Sequence, residues 1–490
     1  MSEVRRKAPL PPSKPEGDNH YHSLEYIFHP CSVAVVGASS ERYAYPSYVH
    51  WLIESGYRGK IYPVNPSLNE MSGLPAYPNI RDIPSSVDHV ISCLPSDLVP
   101  QLIEDCGEKG VKVVQLYTAR LAETGENDRI EVERDIVRRA RKHGIRIIGP
   151  NCLGIFDPAS RLSFMLSEPR EVGSVGYLAQ SGGHAADLVC KGAQRGIRFS
   201  KAVSYGNAAD LNECDFLEYF IQDPQTEIIA VYIEGVREGQ RFLDLVRRAV
   251  AVKPIVVFKG GRTATGARAA ASHTASLAGI DIIWESLFRQ TGLIPVESLE
   301  EMADVLLAFS YLGIPRGRKV ACVSASGGMS VFAADECEKA GLIVPQLTPE
   351  MKQEVKQFAP ETWLLINNPL DGSVVGSRDI LYRAARLVGA WDEVDILLTM
   401  TIPLWAMDLP GGMAHFSKDI KTYIDIANAY DKPMAVVMPS ADVPEDWKWK
   451  GLMEAQSVFI EAGFPVYSSI TRATRAVSKW LKYHSSLSIT

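Results

Sequence analysis

From Ser32 onward, short runs of β-branched residues alternate with amphipathic stretches: Ser32-Val-Ala-Val-Val-Gly37, Tyr48 to Glu54, Lys60-Ile-Tyr-Pro-Val-Asn65, Val87 to Leu94 and Val111 to Leu116. Strand, helix, strand repeated in this way predicts an α/β fold, a parallel sheet with helices on both faces. The rhythm resumes at Gly173-Ser-Val-Gly-Tyr-Leu178, which runs into Ser181-Gly-Gly183 and a helix-like stretch to about Gln194. It returns at Lys319-Val-Ala-Cys-Val-Ser324, followed by Ser326-Gly-Gly328 and a helix-like stretch to about Ala340. Asn207…Asp210 is echoed by Asn368…Asp371, and Lys253-Pro-Ile-Val-Val257 by Lys432-Pro-Met-Ala-Val436. An internal duplication accounts for all three correspondences.

A chain of 490 residues is too long for one ordinary core and suggests about three domains. Gly and Pro break the periodicity near Pro169 and near Gly313-Ile-Pro-Arg-Gly317, which divides the chain into 25–168, 169–313 and 314–490. Residues 1–24 are rich in Pro, Lys, Arg and Ser and are expected to form a flexible arm. The net charge of −7 argues against a polyanion-binding surface, so nucleic acid is not an expected partner. With no apolar run of membrane-spanning length and no signal-peptide core near the start, the expectation is a cytoplasmic protein that does not bind membranes. Eight cysteines without a CxxC pair signal neither a zinc site nor a disulfide framework, and no metal site is expected.

Four segments have the residue types for chemistry. In Val35-Val-Gly-Ala-Ser-Ser40, a strand meets glycine and small residues where backbone N–H groups can surround a phosphate at a helix start. Glycine at such a turn also has a purely steric explanation, and the full GxGxxG dinucleotide fingerprint is absent. The turns Ser181-Gly182-Gly183 and Ser326-Gly327-Gly328 would each aim unpaired N–H groups and the positive end of a helix dipole at one point, which suits a phosphoryl group. Either turn alone reads as readily as a tight turn needing φ > 0; their duplication favours function.

The third segment, Ala271-Ser-His-Thr-Ala-Ser-Leu-Ala-Gly279, follows the strand Ile255 to Phe258 and precedes a helix beginning near Asp281. It reads as a loop of small residues that exposes His273, where an imidazole can act as a nucleophile carrying a group between sites; an ordinary surface loop is the alternative. In the fourth, Tyr232-Ile-Glu-Gly235, a carboxylate ends a buried strand, so Glu234 is placed either to orient an imidazole N–H or simply to meet solvent. His50, His89, His143, His184 and His415 have no metal-ligand spacing and read as structural. Trp363, Trp405 and Tyr117 can line an acyl pocket, although core packing explains aromatic residues equally well.

Taken in order, Val35 to Ser40, Gly59-Lys-Ile-Tyr-Pro-Val-Asn-Pro66, Gly149-Pro-Asn-Cys-Leu-Gly154, Gln180-Ser-Gly182, Tyr205-Gly-Asn-Ala-Ala-Asp210, Ser272 to Gly279 and Asn368-Pro-Leu-Asp371 resemble the α subunit of the ADP-forming (NDP-forming) acyl-CoA synthetases, relatives of succinyl-CoA synthetase. The resemblance covers about residues 25 to 480. It implies an N-terminal CoA-binding Rossmann-like domain followed by two flavodoxin-like domains, the first of them with a phosphohistidine loop. It also implies a reaction: acid plus CoA plus ATP gives acyl-CoA, ADP and phosphate through an acyl phosphate and a phosphohistidine. His273 matches the phosphorylated residue and Glu234 the carboxylate that holds it, while the two Ser-Gly-Gly helix starts match the pair flanking the phosphate. Gly37, Ala38, Ser39 and Ser40 match the CoA-phosphate turn, with help from Asn65, Pro95 and Asn151.

Two departures stand out. Glu41-Arg-Tyr-Ala-Tyr-Pro46 replaces a segment that in the family contains Gly and Lys, which leaves Arg42 as the substitute cation for the CoA phosphates. Leu116-Tyr-Thr-Ala-Arg-Leu121 replaces a stretch of small residues and Phe, which would reshape the acyl or pantetheine pocket. No ATP-grasp domain is evident, so the resemblance implies a separate ATP-grasp β subunit holding ATP and Mg2+, in an α2β2 assembly, with a small carboxylic acid or acyl-CoA as the other ligand. The alternatives are a CoA or acyl-CoA sensor of the same fold without catalysis, motivated by the altered 41–46 segment, and an NAD-binding oxidoreductase, disfavoured by the missing fingerprint.

Overall fold

The computed structural model describes residues 20–39, 46–165, 169–274, 281–375 and 377–487, with side chains throughout except at 20–23 and 271–274. Three open sheets follow one another along the chain. The first consists of β1 (Ser32–Val36), β2 (Lys60–Val64), β5 (His89–Ser92), β6 (Val113–Leu116) and β7 (Arg146–Ile148), with a two-stranded hairpin, β3 (Glu70–Met71) and β4 (Leu74–Pro75), inserted after β2. Its spatial order is β2-β1-β5-β6-β7, all parallel.

The second sheet contains β8 (Gly154–Phe156), β9 (Val175–Ala179), β10 (Phe199–Ser204), β11 (Ile228–Ile233), β12 (Ile255–Lys259) and β13 (Ile294–Val296), in the order β13-β12-β11-β9-β10-β8. The third contains β14 (Val320–Ser324), β15 (Leu370–Asp371), β16 (Ile396–Met400), β17 (Met434–Val437) and β18 (Val466–Tyr467), in the order β15-β14-β16-β17-β18. With β8 and the hairpin set aside, each sheet has its second strand at one edge, then the first, third, fourth and fifth. This is the doubly wound flavodoxin-type order. The echoed sequence segments occupy equivalent places: β12 and β17 are each the fourth strand of their sheet. The strands β1, β9, β11, β14 and β16 are buried along their whole length, as parallel strands covered by helices on both faces must be.

The structure departs from the sequence-based division in three places. The arm expected over 1–24 gives way at His20 to a helix, His20–Phe28, whose Leu24, Ile27 and Phe28 are buried. Phe28 stacks on Tyr219 of the second domain with centroids 4.5 Å apart. The strand β8, although it precedes Pro169, pairs antiparallel with β10 and closes the edge of the second sheet. The last helix, Ile470–Leu487, returns from the third domain to pack on the helix Leu299–Tyr311, where buried Trp480 donates Nε1–H to the Gly313 carbonyl (3.0 Å). Among the described residues no helix is long and apolar enough to cross a membrane.

Candidate functional site

In an open parallel sheet of this order the connections leave in opposite directions from the first and third strands, which opens a crevice at their carboxyl ends. In the first sheet that point lies between β1 and β5. Gly37, just past β1, has φ +83 and donates its N–H to the Val64 carbonyl (3.0 Å). A Cβ there would stand 3.2 Å from the Cys93 carbonyl carbon and the Leu94 side chain, so only glycine lets the two strand ends lie this close. Asn65 donates its side-chain amide to the Ala38 carbonyl (2.8 Å), and Gly37 and Asn65 both line a pocket of about 330 Å³. Gly37, Ala38 and Asn65, three of the sequence-predicted CoA residues, are thus brought together. Ser39 is the last described residue of this turn; Ser40, Arg42 and the altered 41–46 segment up to Tyr45 lie outside the described residues.

Pro95 follows β5 and Asn151 follows β7, and both line a larger cleft of about 1030 Å³ between the first and second domains. Asn151 adopts φ +56 and hangs from the Thr118 carbonyl by its N–H (2.8 Å). The turn beyond β10 presses on it from behind: a Cβ on Gly206 (φ +55) would fall 2.1 Å from the Pro150 carbonyl oxygen, and Asn207 N–H donates to that oxygen (3.0 Å). Asn207 also donates its side-chain amide to Glu123 (2.7 Å), whose carboxylate accepts the Arg120 and Leu121 N–H groups at 2.5 and 3.0 Å. Two motifs fifty residues apart in sequence, Gly149 to Gly154 and Tyr205 to Asp210, therefore form one interlocked wall.

The opposite side of the same cleft is the start of the helix Gly182–Gln194, with Ser181, Gly182 and Gly183 in its lining. Ser181 is the N-cap, and its Oγ accepts the His184 N–H (3.3 Å). β9 lies beside β11, which places Glu234 at the second sheet's own crevice. Gln180 Oε1 accepts the backbone N–H of Glu234 and that of Gly235 (3.0 Å), tying the two strand ends together. The buried Glu234 carboxylate accepts the Tyr232 hydroxyl (3.1 Å), and Lys259 Nζ donates to the Glu234 carbonyl (2.8 Å). Burial pushes the Lys259 ammonium down to about 8, and burial together with the Glu234 charge pushes the Tyr232 phenol up.

His184, read from the sequence as structural, packs at this helix start. Its ring stacks on Tyr232 at 4.2 Å with planes 9° apart, and Nδ1 lies 3.0 Å from Ser181 Oγ. In the sequence, Gln180 stands out only as part of the Gln180-Ser-Gly182 motif, and Lys259, whose ammonium meets the Glu234 carbonyl, is given no role there. The available signal for His184 was its place three residues after the N-cap serine, where a side chain can reach back to the cap.

His273 is in the last turn of the helix Ala264–Thr274, not in the loop its small-residue surroundings suggested: alanine-rich sequence holds a helix as well as a loop. Its side chain lies outside the described residues. That helix packs against the short turn Ala122–Thr124 of the first domain, and Thr124 lines the large cleft. Arg262 pairs with Asp281 (2.5 Å), which clamps the two ends of the segment containing His273.

The second Ser-Gly-Gly turn is built differently. Ser326 caps the helix Gly327–Lys339 in position only, because its hydroxyl makes no cap bond. The Asp371 carboxylate sits at this helix start, 2.5 Å from where a Cβ on Gly327 would be, and Ser373 holds it by N–H (2.9 Å) and hydroxyl (2.6 Å). Ser326, Gly327 and Gly328 do not line the large cleft. Of the three candidate acyl-pocket aromatics, only Tyr117 does; Trp405 is 65% exposed and Trp363 packs in the third domain under Lys356. Among the described residues that line the cleft, the cations are Arg129, paired with Asp97 (2.7 Å), and exposed Arg120, whose guanidinium makes no ion pair with another described residue.

Residues 31–158 match the family model of a CoA binding domain, and residues 172–309 that of a succinyl-CoA ligase like flavodoxin domain. The chain is similar to an acetate–CoA ligase (ADP-forming) II subunit alpha from Pyrococcus furiosus, with 36% identity over 436 residues that span 89% of this chain and 93% of the relative. An acetate–CoA ligase (ADP-forming) II from Archaeoglobus fulgidus is 34% identical over 472 residues, 94% of this chain and 67% of that longer protein. Among solved structures, the dinucleotide forming acetyl-coenzyme A synthetase 1 of Ca. Korarchaeum cryptofilum, in complex with phosphate and ADP, superimposes with a TM-score of 0.80 at 34% identity, covering 95% of this chain and 97% of that one.

Proposed function

This chain belongs to the ADP-forming acyl-CoA synthetase family, and on that premise we propose that it is the α subunit of a two-chain carboxylate–CoA ligase, completed by an ATP-grasp β subunit that holds ATP and Mg2+ in an α2β2 assembly. The observation that carries this reading is the single cleft of about 1030 Å³ whose walls share Pro95 and Asn151 with Ser181, Gly182 and Gly183. A CoA thioester and a phosphoryl group would meet there.

In the direction of synthesis, an imidazole nitrogen of His273 accepts the phosphoryl group from ATP on the partner, and ADP departs. Glu234 accepts the opposite imidazole N–H and keeps the attacking nitrogen's lone pair free. The helix start at Ser181 holds the phosphoryl oxygens through its unpaired N–H groups and dipole, the charge stabilisation such a transfer requires; the Ser326 turn, the second helix start that the resemblance implies, does not line this cleft and faces Asp371, so the Ser181 turn carries the proposal. The carboxylate oxygen of the acid then takes the phosphoryl group from nitrogen and gives an acyl phosphate. Finally the CoA thiol gives up its proton and its sulfur replaces the phosphate oxygen on the acyl carbon, so that inorganic phosphate leaves with that proton. Gly37, Ala38, Ser39, Ser40, Arg42 and Asn65 are the residues proposed to hold the CoA phosphates.

Run in reverse, the half-reaction needs only this chain, inorganic phosphate and an acyl-CoA. Incubation with a panel of acyl-CoAs, followed by intact mass and peptide mapping, should reveal an acid-labile phosphate on His273 and name the preferred acid. His273→Ala should remain unlabelled while folding normally. CoA binding without phosphorylation under any condition, a partner subunit included, would instead support a non-catalytic CoA sensor.

A further inference from the structure

The half-buried His184 is held by its backbone, by one face of its ring and by Nδ1. Its backbone N–H donates to Ser181 Oγ (3.3 Å), its carbonyl accepts the Tyr177 hydroxyl (3.3 Å), and its ring lies flat on Tyr232, whose own hydroxyl binds Glu234. Nδ1 stands 3.0 Å from Ser181 Oγ. The ring therefore sits between the cap hydroxyl of the proposed phosphate-binding helix and the carboxylate proposed to hold the phosphorylated histidine.

A serine hydroxyl has one hydrogen and two lone pairs. If Nδ1 carries no proton, the Ser181 O–H must point at it, the His184 N–H fills one lone pair, and the serine turns its remaining lone pair toward an incoming anion. If Nδ1 carries a proton, it donates to Ser181 Oγ, the His184 N–H fills the other lone pair, and the serine O–H is free to donate to a phosphoryl oxygen. We propose that His184 is a positioning residue for the transferred phosphoryl group, its Nδ1–H turning the Ser181 hydroxyl toward the anion; the neutral ring carries that proton in one of two tautomers, whereas the imidazolium carries it always and adds a positive charge, so phosphate binding and protonation of His184 favour each other. This inference rests on the reading of Ser181 as part of the phosphate site.

The charges around the ring fit this role. Glu234 from β11, Asp187 on the same helix and Glu300 on the helix Leu299–Tyr311 all favour the imidazolium, and the Tyr232 and Tyr177 phenols pack beside the ring and its carbonyl. Burial outweighs these charges and lowers the His184 pKa. A phosphate dianion at the helix start adds another upward pull. Protonation and anion binding are then linked, each strengthening the other by the same factor.

The test is the phosphate KM of His273 labelling, measured from pH 6 to 8 for the wild-type chain, His184→Asn and His184→Phe. Asparagine offers an amide N–H near the position of Nδ1 but does not titrate; phenylalanine keeps the stack on Tyr232 and offers Ser181 nothing. In the wild type, KM should rise with pH about tenfold more than in His184→Asn, whose profile should follow phosphate ionisation alone. His184→Phe should raise KM about tenfold at low pH with kcat less affected. A His184→Asn profile that matches wild type, or a His184→Phe variant that folds and keeps the wild-type KM, overturns the inference while leaving the site's reading intact. No labelling of the wild type at any phosphate concentration removes both.

Discussion

A methyl group at Gly206 is the sharpest probe of the cleft's construction. The residue has φ +55, and a Cβ would lie 2.1 Å from the Pro150 carbonyl oxygen and 2.6 Å from that of Asn151. Carbon and oxygen need upwards of ~3 Å, so the turn Gly149-Pro150-Asn151 must move back by about 1 Å. Left-handed backbone costs alanine about 1–2 kcal/mol, and overpacking against backbone atoms that cannot rotate away costs about 1–3 kcal/mol more. Gly206→Ala should therefore lose about 2–5 kcal/mol in denaturant unfolding. Because Asn151 moves with the turn, the half-reaction should slow by about a hundredfold as well, the usual consequence of misplacing a site group by 1 Å. Gly239→Ala is the control: it opens the helix Gly239–Ala249, nothing lies within 4 Å of its Cβ position, and the change should be neutral or stabilise by up to about 1 kcal/mol. If Gly206→Ala matches wild type in both stability and rate, the interlocked wall does not position the cleft.

Three further outcomes are expected. Glu234→Gln keeps the Tyr232 contact but loses the charge that steadies an imidazolium, so His273 labelling should slow by about a hundredfold or more; an unchanged rate would remove Glu234 from the mechanism. Arg120→Ala deletes the cleft's uncommitted cation and should shift relative kcat/KM across the acyl-CoA panel by about tenfold for acids with a polar or anionic tail, whereas a uniform change would assign Arg120 to CoA instead. Lys259 titrates at about 8 in the fold against about 10.4 in an unfolded chain, so the unfolded state binds more protons between those values and stability should rise with pH across that window. Lys259→Met should flatten that rise, as followed by denaturant midpoints.

The repeat of the strand order was legible because each sheet is written as apolar runs punctuated by Gly and Ser, and the echo from β12 to β17 marks equivalent strands without any knowledge of contacts. The glycine turns at Gly37 and Gly182 were visible too, since close backbone approach leaves a compositional trace, whereas the close approach at Gly206 emerged only from the structure. What stayed hidden depends on neighbours in space. The stretch from His20 to Leu24 looks like the end of a polar arm until it is seen to open the helix that carries Phe28 onto Tyr219. His184 gains a role only because β9 lies beside β11 and brings Tyr232 under its ring. Trp363 and Trp405 carry the composition of an acyl pocket yet lie away from the cleft, since aromatic content does not specify which surface a ring covers. The two Ser-Gly-Gly turns read alike, and only the structure distinguishes a serine-capped helix from one whose start is faced by Asp371.

The strand β8 has a practical consequence for anyone who cuts this chain. A fragment begun at Pro169, where composition changes, would lack Gly154, Ile155 and Phe156, which pair with Ser204, Val203 and Ala202. Its outermost strand would then be Phe199–Ser204, entirely buried in the intact protein and now bare along one side. An apolar strand with unsatisfied N–H and C=O groups recruits other strands, so such a fragment should aggregate, while one begun before Gly154 should stay dispersed.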